Sequence, residues 1–255
     1  MENAVLIGLS RQVALARELD VVANNIANIN TSGFKADGSV FQEYLMPGAR
    51  AEQFPVSDQR MSYVQDRATW LDFSQGAIQQ TGNPLDVAVD GDAFFVVQTP
   101  RGERYTRNGA LQLNATGELV TSEGYRVVGE SGPITLQQGD NDINIAADGS
   151  IRVREGADGT TDSSRGKLRV VRFDSIQRLQ KDGSSLFLAP ADVQPQAAPE
   201  ARIVQGAVEK SNVHAVVEMT RMIEVTRSYT QIATLLQQQS DLRRSAIERL
   251  AEVPA

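Results

Sequence analysis

Hydrolysis, calcium binding and phosphate binding are the chemistries for which this 255-residue chain offers residues of the right type, and in each the spacing fails. Serine, aspartate and the single histidine, His214, are the components of a hydrolytic triad. His214, however, falls in the first turn of an expected helix, and no GxSxG elbow occurs, so it reads as a surface histidine. Asp90 and Asp92 in DGDAF, and Asp140 and Asp142 in DNDIN, have the carboxylate spacing that opens a calcium loop. The second run has Ile145 where such a loop needs its central glycine and Ile151 where it needs its closing glutamate. These acids are expected to be turn residues. No GxGxxG appears, and the glycines are spread as turn punctuation. Zero cysteines and one histidine exclude thiolate and multi-histidine metal sites. The expectation is no catalytic residue, no cofactor and no metal.

A different kind of chemistry is suggested by ANNIANINTSGFK, residues 23 to 35, where Asn24, Asn25, Asn28 and Asn30 crowd the end of an amphipathic stretch. Asparagine in a helix interior costs roughly 0.6 kcal/mol against alanine, so Asn24, Asn25 and Asn28 sacrifice about 2 kcal/mol of local preference that something must offset. Asn30 and Gly33 suit the left-handed conformation that ends a helix. Asn24, Asn28 and Thr31 share a helix face, and their amides and hydroxyl are expected to form an intermolecular network.

The elements that must position these residues follow from proline and from periodicity. All nine prolines fall outside residues 1–46 and 207–251, so both ends are expected to be helical. Leu15, Leu19, Val22, Ile26 and Ile29 step by four, three, four and three, with Val5, Leu9 and Val13 broadening the stripe upstream. Met222, Val225, Tyr229, Ile232 and Leu236 repeat the heptad near the other end, after a possible cap at Ser211 or Asn212. A helix from about Val213 to Ala251 would run roughly 55 Å, long for a globular domain. Its face opposite the seam carries Thr226, Thr230, Thr234 and Gln237 where a solvated face usually carries charge.

Between the ends the pattern is β. LDVAVDGDAFFVVQ alternates, breaks at Asp90-Gly91 and resumes, and further turns are marked by Asn108-Gly109, Thr116-Gly117, Glu123-Gly124, Asp148-Gly149, Asp158-Gly159 and Asp182-Gly183. Short strands at such intervals make an antiparallel sandwich or barrel-like sheet. APADVQPQAAPE, residues 189–200, has the composition of an extended connector. The expected fold class is α+β, an antiparallel β-domain flanked by N- and C-terminal helices that pair as a coiled coil. The pattern places a helix at each end and β-structure over 76–200, whereas residues 31–75 carry turn signals and scattered aromatics without a sustained period.

Aromatic residues make up only 5% of the chain, which argues against a compact aromatic core. No window approaches eighteen apolar residues, so membrane insertion is not expected. The acidic start and short apolar run of MENAVLIGLSRQ predict no cleaved signal peptide. Of the net charge of −7, residues 31–206 hold −6. An acidic middle excludes the basic face that nucleic acid requires, while near-neutral ends can pack on copies of themselves.

LDVVANNIANINTSGFKA, TGNPLDVAVDGDAFFVV, YTRNGALQLNATGELVTSEGYRVVG and QGAVEKSNVHAVVEMTRMIEVTRSYTQIATLL occur in that order and cover about half the chain. Together they resemble the bacterial flagellar basal-body rod and hook family. The opening MENAVLIGLSRQVALARELDVVANN and the TPRGERYTRNG stretch are most similar to its proximal-rod member. Ala93 departs from the family, many members having glycine after DGD. The resemblance implies terminal helices over 1–30 and 207–255 that pair as an inner domain, an extended linking region over 31–75 and a β-rich outer domain over 76–200. It implies a structural axial protein that polymerises into the proximal rod and transmits motor torque to hook and filament. It implies partners among copies of the chain, other axial rod proteins and the export apparatus, and a place in the periplasmic part of the basal body. A distal-rod or hook-type axial protein, and a secreted β-domain adhesin or enzyme, are the alternatives. On this reading Leu15, Leu19, Val22, Asn24, Asn25, Ile26, Asn28, Ile29, Met222, Val225, Tyr229, Ile232 and Leu236 are candidate subunit-interface residues.

Overall fold

A computed structural model of the chain describes residues 2–47, 60–137, 140–155, 161–183 and 185–251; the expected turn at Asp158-Gly159 lies outside them. The described chain forms two compact units. One consists of helix α1, Glu2–Ala27, the strand Asp37–Pro47, the strand Arg60–Leu71 as far as Trp70, and helix α2, Ala215–Ala251; the other consists of Asn28–Ala36 with Leu71–Val213. The fold class is α+β, with an α-helix toward each end of the chain and β-structure between them. Every strand register described is antiparallel, as runs of short strands joined by tight turns require.

At the centre of the β-rich unit lies strand Phe94–Thr99, paired with Gly102–Thr106, Arg126–Gly129 and Val170–Arg172. Phe94, Phe95, Val96 and Val97 are all buried, because this strand is covered on both faces and needs no polar alternation. Phe95 and Val97 enter one apolar cluster with Val87, Leu111, Leu119, Ile151 and Leu168. Phe94 and Val96 point the other way into a second cluster with Phe73, Tyr105, Phe173 and Phe187. This second cluster corrects the expectation from composition. Phe94 meets Phe73 edge-on at 6.0 Å, Phe187 at 5.7 Å and Phe173 at 5.9 Å, and Tyr105 meets Phe173 at 4.8 Å. Few aromatic residues suffice for an aromatic core when the sheet gathers them on one face.

Strand Leu111–Leu113 pairs with Leu119–Thr121 across the expected turn at Thr116-Gly117. At Asn108-Gly109 the glycine has another role: a Cβ there would sit 1.6 Å from the carbonyl oxygen of Val87, so the chain must pass with no side chain at all. Ser150–Glu155 pairs with both Asp140–Ile145 and Thr161–Lys167 in a three-stranded sheet. The proline-rich stretch is not a free connector. Val193 is buried in the aromatic cluster and Ala198 in the other one, and Gln196–Ala197 pairs with Val170–Arg172, so the stretch crosses the sheet edge and fills both faces. Two further strands, Arg202–Gln205 and Ala207–Glu209, pair with Val87–Asp90 and Ile78–Gln80 before α2 begins.

Candidate functional site

The helical unit presents the first candidate surface. Glu18 of α1 forms an ion pair with Arg221 of α2 at 2.8 Å, and Gly8 lies beneath Leu236, where an added Cβ would come within 2.8 Å of the leucine side chain. Residue numbers fall along one helix as they rise along the other, so the two run antiparallel. Val22 and Val225 are fully covered, with Ala14 and Asn25 beside them in the buried set of this unit. Leu15, Leu19, Ile26, Tyr229, Ile232 and Leu236 are half-buried, and Met222 is exposed. Ile29 is half-buried in the other unit, beyond the end of α1.

Each helix also has a second apolar stripe that its partner helix leaves uncovered. On α1 it is Leu6, Leu9 and Val13; on α2 it is Val216, Met219 and Ile223, with Leu235, Leu242 and Ile247 further along. Both triplets step by three and four, the spacing of a helix face prepared for another helix. Ile223 is 62% exposed and Leu242 71%, values that a lone surface helix of a globular domain does not ordinarily show in series. Thr220, Thr226, Thr230 and Thr234 each donate their hydroxyl to the carbonyl four residues earlier, at 2.7 to 2.9 Å.

The asparagine cluster has partners within its own chain. Asn25 donates its amide to the backbone oxygen of Asp37 at 2.9 Å and accepts the Asp37 N–H at 2.9 Å, while Asn24 donates to the Asp37 carboxylate at 2.8 Å. This two-way clamp is the offset for two helix-unfavourable residues: it satisfies backbone groups at the start of strand Asp37–Pro47. Asn28 accepts the Thr31 hydroxyl at 3.2 Å. Of the two residues suited to a left-handed conformation, Gly33 adopts it, with φ of 68°, and Asn30 does not.

Gly33 leads into the second candidate, a buried charge cluster in the β-rich unit. A Cβ on Gly33 would lie 2.4 Å from the backbone of Arg107 and Asn108, so TSGFK and YTRNG can meet only through glycine. Lys35 donates to one carboxylate oxygen of Glu209 at 2.6 Å and to the Ser74 carbonyl at 2.7 Å. Arg107 donates to the other oxygen of Glu209 at 3.3 Å and to the Val89 carbonyl at 3.4 Å. The Gly76 N–H donates to the same Glu209 carboxylate at 2.9 Å, and the Gly33 N–H to the Glu209 backbone oxygen at 2.8 Å. All three charged side chains are at most 1% exposed. Burial pulls Lys35 and Arg107 below their ordinary pKa values, and Glu209 opposes that pull. Two cations share one carboxylate, Arg107 Nε and one terminal nitrogen have no hydrogen-bond partner, and the guanidinium carbon sits 5.0 Å from the Phe94 ring centre.

Asn212 closes the assembly. It accepts the Ala36 N–H at 2.8 Å and donates to the carbonyls of Asp72, at 2.8 Å, and Ser74, at 3.2 Å. It therefore links three segments and does not cap α2; His214 holds the capping position, its carbonyl accepting the Glu218 N–H at 3.0 Å. Sequence reasoning missed Lys35, Arg107, Glu209 and Asn212. The available signal was a lone charge inside an otherwise apolar run, as in AVE and GFK.

Asp140 and Asp142, expected in a turn, lie in the strand Asp140–Ile145, and both carboxylates are engaged by arginines. Asp140 is gripped by both guanidinium nitrogens of Arg165, at 2.6 and 2.8 Å, and Asp142 pairs with Arg154 at 3.1 Å. Among the described residues no group of three acids or histidines could hold a metal, and no helix is long and apolar enough to cross a membrane.

Three stretches match models of known families: residues 6–35 the flagella basal body rod protein model, residues 88–153 the D1 domain of the flagellar hook protein FlgE/F/G, and residues 204–249 the C-terminal region of flagellar basal body rod FlgEFG proteins. The chain is 38% identical to the flagellar basal-body rod protein FlgF of Caulobacter vibrioides, over 99% of this chain and 100% of that one. It is 32% identical to FlgF of Escherichia coli over 90% of both chains. It is also 32% identical to the flagellar basal-body rod protein FlgG of Bacillus subtilis, over 90% of this chain and 92% of that one.

Proposed function

Because this chain belongs to the flagellar basal-body rod protein family, we propose that it is a structural axial subunit that polymerises, with copies of itself and other axial proteins, into the proximal rod and carries motor torque toward hook and filament. The observation that carries the reading is the pair of uncovered apolar stripes on α1 and α2. A two-helix pair buries one seam per helix and leaves the second, which neighbouring subunits can cover. A heterologous contact that does not close builds a helical polymer, and contacts at several points per subunit stiffen it against twisting. Leu15, Leu19, Ile26, Met222, Tyr229, Ile232 and Leu236, partly open in the single chain, complete that packing in the assembly. Val22 and Val225 hold the pair beneath it, while Asn25 fastens α1 to the strand that begins at Asp37. Ile29, Asn24 and Asn28 are further candidate contacts with neighbouring subunits.

The FlgF relatives span 32 to 38% identity and the FlgG of Bacillus subtilis stands at 32%; the match to an FlgF end to end, over 99% of this chain and 100% of that one, is what supports the proximal rod. On this reading the subunit leaves the cell through the flagellum's own export apparatus without a cleaved signal and lies in the periplasmic part of the basal body. Deleting the protein should abolish rod, hook and filament, scored by electron microscopy of isolated basal bodies. Deletion cells that still swim with complete appendages would refute the proposal.

A further inference from the structure

We propose that the Lys35–Glu209–Arg107 cluster is a releasable fastening inside the β-rich unit, which holds the two segments continuing into α1 and α2 against the central sheet of that unit and opens as one step while the central sheet stays folded. The cluster joins residues 174 and 102 positions apart, so no local element makes it. Lys35 comes eight residues after the end of α1, and Glu209 six before the start of α2. Each helix is thus tethered through a short segment to one buried point.

The chemistry of the contact sets it apart from the sheet. Lys35, Arg107 and Glu209 lie outside both apolar clusters, with Arg107 resting on Phe94 at the edge of one; the segments around them are held by the two-stranded ladder of Ala207–Glu209 with Ile78–Gln80 and by hydrogen bonds from Gly33, Gly76, Lys210 and Asn212. Closing requires three charges to lose their water, a penalty that offsets much of the attraction between them, so the closed form is shallow. Burial of aliphatic and aromatic side chains in the sheet has no such offset. Segments held by polar contacts open below the global unfolding limit. Phe34, under the Lys181 ammonium at 4.0 Å, supplies the main apolar contact of the first segment.

Native-state hydrogen exchange on the dilute, full-length monomer in low urea tests this. The amides of Gly33, Gly76 and Lys210 should share one opening step that is easier and less urea-dependent than that of Leu119 and Leu168, whose N–H groups bond to Ile134 and Gly149. Glu209→Gln leaves two buried cations without a carboxylate, and should speed exchange at the first three by about a hundredfold while leaving the last two within about threefold. A single common step for all five amides in the unaltered protein would overturn the proposal, and so would an equal effect of the substitution on all five. The readout is a property of the monomer, so it stands or falls separately from the place of the chain in the rod.

Discussion

Among the described residues Phe94 makes more ring contacts than any other aromatic side chain. It meets three aromatic rings and supports the Arg107 guanidinium. Phe94→Ala should cost about 4 kcal/mol, measured as a shift in the urea midpoint at constant slope, because the surrounding rings cannot all collapse into the space. Gly33→Ala should also destabilise, by more than the roughly 1 kcal/mol of an ordinary left-handed penalty, since its Cβ meets backbone at 2.4 Å. Asp140 provides a pH test. Its hydrogen bonds from Arg165 hold its carboxyl below the ordinary carboxylate range. A depressed folded pKa contributes stability that is complete above the unfolded value and lost as pH falls through the folded one. Acid should therefore loosen the three-stranded sheet, and Asp140→Asn should remove that part of the pH dependence in a thermal-melt series. At this scale the sequence was only partly legible. Four crowded asparagines announced an unusual helix end, but nothing local identified Asp37 as the partner of two of them. Lys35, Arg107 and Glu209 stood inside recognisable motifs, yet a linear text does not say which distant charges will be brought together and dried.

Elements were read more easily than the residues within them. Proline-free ends and heptad spacing announce both helices, since those signals are local and repeated, but α2 begins at Ala215 and not at 207, because Ala207–Glu209 pairs with Ile78–Gln80 instead. The alternating and glycine-punctuated middle announced antiparallel strands for the same reason. What was misread was long-range. The proline-rich stretch reads as a connector because composition reports backbone preference and not burial, and Val193 and Ala198 are buried only once the two apolar clusters exist to receive them. Gly8 is a further case: a glycine inside a helix is locally unfavourable, and its reason appears only with Leu236 seated on it. Gly8→Val should drive the two helices apart at that level, lowering the melting of helical signal in circular dichroism while leaving the β-sheet transition in place.

For the whole molecule, what matters is surface that the single chain does not cover. Replacing Ile223 and Leu235 with aspartate should leave the melting temperature of the dilute monomer nearly unchanged, both being more than 60% exposed. It should nonetheless prevent incorporation into basal bodies, read by microscopy and by swimming in soft agar. Loss of monomer stability would instead place those side chains in the fold. The threonine ladder of α2 sharpens the same point. Because each of those hydroxyls is engaged by its own helix, the outward group at Thr226, Thr230 and Thr234 is a methyl. A flank scored as hydrophilic by any hydropathy count is thus, to an approaching neighbour, a row of small greasy studs at one-turn intervals. Serine in place of each threonine would preserve the hydrogen bonds and shave off the studs alone.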